Sequence, residues 1–165
     1  MMRATKALIQ QRRNRGASVR FVRSVDYLGL SPRNACFANA LKVFEDGLGP
    51  DGQRFSVAHG WLIMRYPHQT AVLQHAWNVE VATGRHFDVT ELAEGTNLGA
   101  QYVEDVELRV ALNATCEIIP LLVGRSFLFR DDKFYLVIPR LGPEGAVAFD
   151  EMLWTDFSTS GLLRR

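Results

Sequence analysis

Two runs of alternating side chains, Phe55 to Met64 and Ala71 to Val81, constrain the architecture of this chain most tightly. In the first, Phe55, Val57, His59, Trp61 and Ile63 share a side; in the second, Ala71, Leu73, His75, Trp77 and Val79 do. A period of two sends successive side chains to opposite faces, so both runs are predicted to be strands. Tyr66-Pro67-His68-Gln69 between them reads as a turn. A further turn around Ala82-Thr83-Gly84 leads into a third strand, Arg85 to Thr90, expected to lie antiparallel to the second.

Upstream the period changes. Phe37, Ala40, Leu41 and Phe44 recur at helical spacing, which predicts a helix from about Asn34 to Asp46. Ser31 or Asn34 is the expected N-cap, and the run Gly47 to Gly52 ends the helix. Downstream, Phe127 to Ile138 reads as a hairpin around Asp131-Asp132. The alternation of Val106, Leu108, Val110 and Leu112 favours a strand over Val103 to Leu112, and the tail from Phe149 is expected to add a short helix. A helix followed mostly by antiparallel strands makes an α+β domain.

The chain has 165 residues, 47% of them apolar, enough for one domain with a substantial core. Its formal net charge of +1 carries no global signal for nucleic acid or membrane. The charge is uneven, however. From Met1 to Arg33, Arg3, Lys6, Arg12, Arg13, Arg15, Arg20, Arg23 and Arg33 stand against a single acid, Asp26. Residues 1–24 are therefore read as a basic and flexible N-terminal arm, and residues 25–165 as a single domain. Such an arm is solvated, contacts an anionic partner through residues 1–33, or acts as an Arg-rich targeting segment.

No apolar stretch is long enough to span a bilayer, and no signal-peptide core is visible. Two cysteines, Cys36 and Cys116, do not make a disulfide framework, and a reducing, cytoplasmic setting fits them best. Glycines 47, 49 and 52 lack the Lys-Ser/Thr of a phosphate loop. No close Cys-x-x-Cys or His-x-x-x-His pair exists, so neither a metal nor a cofactor is expected.

One set of residues has the ingredients for nucleophilic catalysis. Cys36 falls in the first turn of the predicted helix, where unpaired N–H groups favour a thiolate. A base and an orienting group must come from elsewhere in the fold. His75 lies on the second strand and Asp88 on the third, at an odd separation. A hairpin centred near Val81 and Ala82 would set these two directly opposite each other, with Cβ atoms about 5 Å apart. A tight turn at Thr83-Gly84 would instead set Asp88 against Val79.

The string His75-Ala76-Trp77, a short hairpin, then Phe87-Asp88-Val89-Thr90 resembles the His-Ala-Trp … Asp-Pro-Thr signature of transglutaminase-like cysteine enzymes. Asn34 to Ala40 and Gly60-Trp61 are similar to blocks in small bacterial and phage-type proteins of that kind. The likeness runs from about Asn34 to Thr90, with Val89 standing where the signature commonly has Pro. It implies a papain-like or transglutaminase-like core, with the Cys-bearing helix packed on an antiparallel sheet. It also implies Cys36 as nucleophile, His75 as base and Asp88 as orienter. No Gln precedes Cys36, so Asn34 or Asn39 would have to assist the backbone as oxyanion donor. His59 and Trp77 are expected beside the substrate. The implied activity is acyl transfer from an amide of a protein or peptide: peptidase, glutamine deamidase or transglutaminase. A non-catalytic binding protein using the basic arm is the alternative.

Overall fold

A computed structural model describes residues 1–13, 16–25, 35–47, 54–91, 99–108, 125–141 and 147–157. Its centre is the predicted pair of long strands, β3 (Phe55–Arg65) and β4 (Thr70–Glu80). They run antiparallel in unbroken register from Phe55 opposite Glu80 to Arg65 opposite Thr70. This register places Trp61 opposite Gln74 and Gly60 opposite His75. Opposed residues share a face, so the two apolar series read from the sequence lie on opposite faces of the sheet. Both faces are therefore buried.

On one face Trp61, Ile63 and Val72 meet Ala4 and Leu8 of helix α1 (Met2–Arg12), together with Phe127, Phe134 and Phe157. On the other, Ala58, Leu62 and Met64 pack with Trp77 and with Tyr102 of β6 (Gln101–Asp105). β6 lies against β3 and carries β1 (Ala17–Arg20) along its outer side. The approach of β6 is close. A Cβ built on Gly60 would meet the Val103 carbonyl oxygen at 2.0 Å, so only glycine fits opposite His75.

The outer edge of β4 is divided. β7 (Ser126–Arg130) covers Thr70 to Leu73, and β5 (His86–Asp88) covers Asn78 and Val79. Among the described residues, no strand pairs with positions 75–77 on this outer edge. β5 is held from its far side by β2 (Val22–Ser24), which runs parallel to it with Ser24 opposite Asp88. Helix α2 (Cys36–Asp46) packs on β3 and β4. Its Val43 meets Val89 with Phe55 and Phe87 alongside, and the Asn78 amide donates to the Ala40 carbonyl at 2.9 Å. Gly47, left-handed at φ 65°, ends the helix as expected.

The predicted α+β class, mixing helices with a mainly antiparallel sheet, is observed. Several local expectations are corrected. The N-cap is Ala35, with no side-chain cap, while Ser31 and Asn34 lie outside the described residues. β6 stops at Asp105 and helical backbone begins at Val106, because the Asp105 carboxylate accepts from the Leu108 N–H at 3.1 Å in the manner of a cap. The tail from Phe149 is strand: β9 (Val147–Trp154) pairs along β8 (Lys133–Leu141), so pairing overrides local helical preference. The β7–β8 hairpin is as predicted, with Asp131 and Asp132 both at positive φ in a two-residue turn.

The described parts of residues 1–24, helix α1 and strands β1 and β2, pack against the rest of the fold. Ala4, Thr5, Leu8 and Arg12, one turn apart, form the buried stripe of α1. Arg12 is fully buried and ion-paired with Asp105, Arg3 pairs with Asp132, and Arg20 pairs with Glu104. These charges are spent on internal partners. Among the described residues no helix is long and apolar enough to cross a membrane.

Candidate active site

Cys36 is the first residue of α2, buried to 9% exposure, where the helix N–H groups have no intrahelical acceptor. His75 sits on the stretch of β4 left uncovered between β7 and β5. Its Nε2 lies 2.6 Å from Asp88 Oδ2. Cys36 lies close enough to the imidazole to help raise its pKa, and Nδ1 is the ring nitrogen that the contact with Asp88 leaves open. The structure thus brings His75 and Asp88 into contact, with Cys36 beside them.

The register that joins them differs from direct opposition. Loop 81–84 is closed by the Glu80 N–H donating to the Arg85 carbonyl, with Gly84 left-handed at φ 68°. Asn78 then opposes Phe87, and the next position along sets Asp88 against Trp77. His75 is its diagonal neighbour on the same face. Diagonal Cβ atoms are about 7–8 Å apart, a gap that an imidazole spans and a shorter side chain would not.

Asp88 is the hub. Its Oδ1 accepts the Thr90 N–H at 2.9 Å, and its Oδ2 accepts from His75 and also from the Tyr102 hydroxyl at 2.8 Å. Thr90 in turn accepts from the Asn39 amide through its hydroxyl oxygen at 3.2 Å. Asn39 belongs to the same helix as Cys36, so the chain of contacts Cys36, His75, Asp88, Thr90, Asn39 returns to the element where it began. Helix α2 is also fastened to the sheet through Asn39 to Thr90 and through the Asn78 amide to the Ala40 carbonyl.

The electrostatics follow from burial and charge. Burial alone would lower the His75 pKa, but the hydrogen bonds to Asp88 and Cys36, and the charges on both, outweigh it and raise the value to about 9. Tyr102 is pushed far above the ordinary phenol range by burial, by the charge on Asp88, by its hydrogen bond to Asp88 and by Cys36. It is therefore a permanent donor at neutral pH. His86 is shifted downward by burial, an effect opposed by Glu104 and reinforced by Arg20.

The four residues expected around the triad fare differently. Trp77 has no accessible surface: it stacks beside His75 at 6.3 Å, and its indole N–H donates to His86 Nδ1 at 2.9 Å. It packs behind the imidazole, away from solvent. His59 projects from the opposite face of β3 to that shared by Gly60 and His75, against the Phe37 ring. Asn39 is buried with its amide turned toward Thr90. Asn34 and Cys116 lie outside the described residues. Tyr102 was not anticipated, because its link to Asp88 depends on the pairing of β6 with β3, which nothing local in the sequence specifies. A cavity of about 290 Å³ between the β3–β4 and β7–β8 turns is lined by none of these groups. Comparison of the chain with protein-family models, curated proteins and solved structures returns no match.

Proposed function

We propose that this protein is a cysteine-dependent acyl-transfer enzyme acting on an amide, on a papain-like or transglutaminase-like core. The observation that carries this reading is the buried relay from Cys36 through His75 to Asp88, with the His–Asp contact at 2.6 Å. A histidine that binds its proton up to about pH 9 stabilises a thiolate beside it. The sulfur attacks the amide carbon, and the N–H groups of the first turn of α2, that of Cys36 among them, face the developing oxyanion. His75 gives its proton to the departing nitrogen, which leaves as ammonia or an amine, and a thioester remains on Cys36. His75, now neutral, then takes a proton from water or an amine as that nucleophile attacks the thioester and releases the thiolate. Cys36 keeps about a tenth of its surface exposed, so substrate meets the sulfur through a narrow opening. That favours an extended peptide or a protruding side-chain amide of a protein over a broad folded surface.

Labelling with iodoacetamide at pH 6, followed by peptide mass spectrometry, tests the reading. Cys36 should react on the order of 100-fold faster than a thiol of ordinary pKa, because at that pH such a thiol is well under one per cent ionised. Cys116 in the denatured chain supplies the reference rate. Cys36→Ala should remain folded and lose all amide-directed activity. Labelling no faster than the reference, or activity retained in folded Cys36→Ala, would sink the proposal.

A further inference from the structure

We propose that Tyr102 is a positioning residue of this site, one that sets the orientation of Asp88 and through it the ring nitrogen His75 offers to Cys36. The inference rests on the acyl-transfer reading above and adds a residue to it.

Asp88 has two oxygens and three donors around them. Oδ1 is taken by the Thr90 N–H, a local contact two residues away that leaves the carboxylate free to swing about its own axis. Oδ2 is shared between His75 Nε2 at 2.6 Å and the Tyr102 hydroxyl at 2.8 Å. Of the three donors, only the Tyr102 hydroxyl comes from outside the contiguous segment 70–90. Tyr102 stands on β6, opposite Leu62 of β3 and Arg20 of β1, and so is clamped on both sides. Its ring meets the His75 ring edge-on at 5.7 Å and the Trp77 ring at 5.4 Å, which leaves its hydroxyl little freedom to aim elsewhere. A buried tyrosine serving the core alone could be satisfied by any backbone carbonyl. This one is aimed at the same oxygen as the imidazole.

The chemical consequence is specific. The titratable groups around His75 are Cys36 from α2, Asp88 from β5 and Tyr102 from β6. With Tyr102 and His75 both donating to Oδ2, the carboxylate cannot rotate away, and Nε2 stays committed to it. Nδ1 is then the ring nitrogen left available to the sulfur. The phenol also draws charge from Oδ2, so it moderates how strongly Asp88 holds the imidazolium.

The test is the rate of Cys36 alkylation by iodoacetamide against pH in the full-length protein, where the upper limb reports loss of the imidazolium. Tyr102→Phe keeps the ring and removes only the donor. Its upper limb should move to higher pH by at least about half a pH unit, because Oδ2 becomes the stronger acceptor, and its plateau rate should fall about tenfold. Replacing Tyr102 with 3,5-difluorotyrosine, a stronger donor of nearly the same shape, should move the limb the other way; it carries the test if Tyr102→Phe does not fold. Profiles of both variants that superimpose on the unmodified protein, while Asp88→Asn still moves the limb, would overturn the role of Tyr102 and leave the triad standing. An unmodified protein whose Cys36 shows a single ordinary thiol inflection would overturn the acyl-transfer reading itself.

Discussion

Two buried polar networks share strand β6, and they are built to opposite ends. In one, Asp105 accepts from Arg12 through both oxygens, at 2.6 and 2.7 Å, from the Trp61 indole at 3.1 Å and from the Leu108 N–H. The third arm of the guanidinium donates to the Phe157 carbonyl. Each guanidinium nitrogen and each carboxylate oxygen has a partner, and the network touches no thiol or imidazole. It joins α1, β3, β6 and the segment after β9. Three residues earlier on the same strand, Tyr102 enters a network of similar burial that ends on an imidazole and a thiol. The first is closed on itself; the second ends on groups that can exchange a proton. Burial and ion pairing alone therefore do not mark a functional site. What separates the two is an imidazole, its pKa raised to about 9, set between a carboxylate and a thiol.

Breaking one member of each network should separate them most sharply. Arg12→Ala leaves a buried carboxylate short of its cation, and should cost about 3–5 kcal/mol of stability in a denaturant melt. Any molecules that remain folded should alkylate at Cys36 as before. An Arg12→Ala protein of unchanged stability would show that α1 is no part of the core. Deleting residues 1–24 should do more damage still, since β2, the strand that supports Asp88, goes with them.

Asp88→Asn should invert that pattern. The rate of the amide reaction should fall by about 10²–10⁴, because the amide can present its N–H side to the imidazole and fix the wrong tautomer. His75→Ala should cost at least as much, and the double variant little more, since residues acting as one unit are not additive. Losses that simply multiply would dissolve the partnership of His75 and Asp88.

The smallest expected effect is a pH dependence of stability. The folded-state pKa of His75, about 9, lies above the ordinary 6.5 of an unfolded histidine. Its charged form thus contributes stability that is fully present below pH 6.5 and is lost as pH rises through about 9. The melting temperature should decline across that window, and the decline should flatten in Asp88→Asn. A flat profile in the unmodified protein would remove the charged imidazole from the description.

Much of the site was legible before the fold was known, and parity is the reason. Because strand side chains alternate, an odd separation across an antiparallel hairpin keeps His75 and Asp88 on one face for any turn with an even number of residues, such as the loop 81–84. The exact opposition expected between them did not form, yet the pair survived as diagonal neighbours. Cys36 was legible for a similar reason: a helical period that begins at Asn34 and stops at Gly47 puts it in a first turn. Such features are local, set by the backbone period and by turn residues.

Other features rested on partners far along the chain. The basic residues of α1 read as solvated because charge is normally exposed, and only Asp105, distant in sequence but adjacent in the fold, makes a buried Arg12 tolerable. The same holds for Phe149, which lies in a strand because β8 offers it a ladder, and for Tyr102, whose hydroxyl finds Asp88 only once β6 has docked on β3. Local periodicity determined the elements and the face each residue occupies. Which faces met, and so which buried charges found counter-charges, depended on long-range pairing, because a polar group's preference for water or interior is decided by what waits for it there.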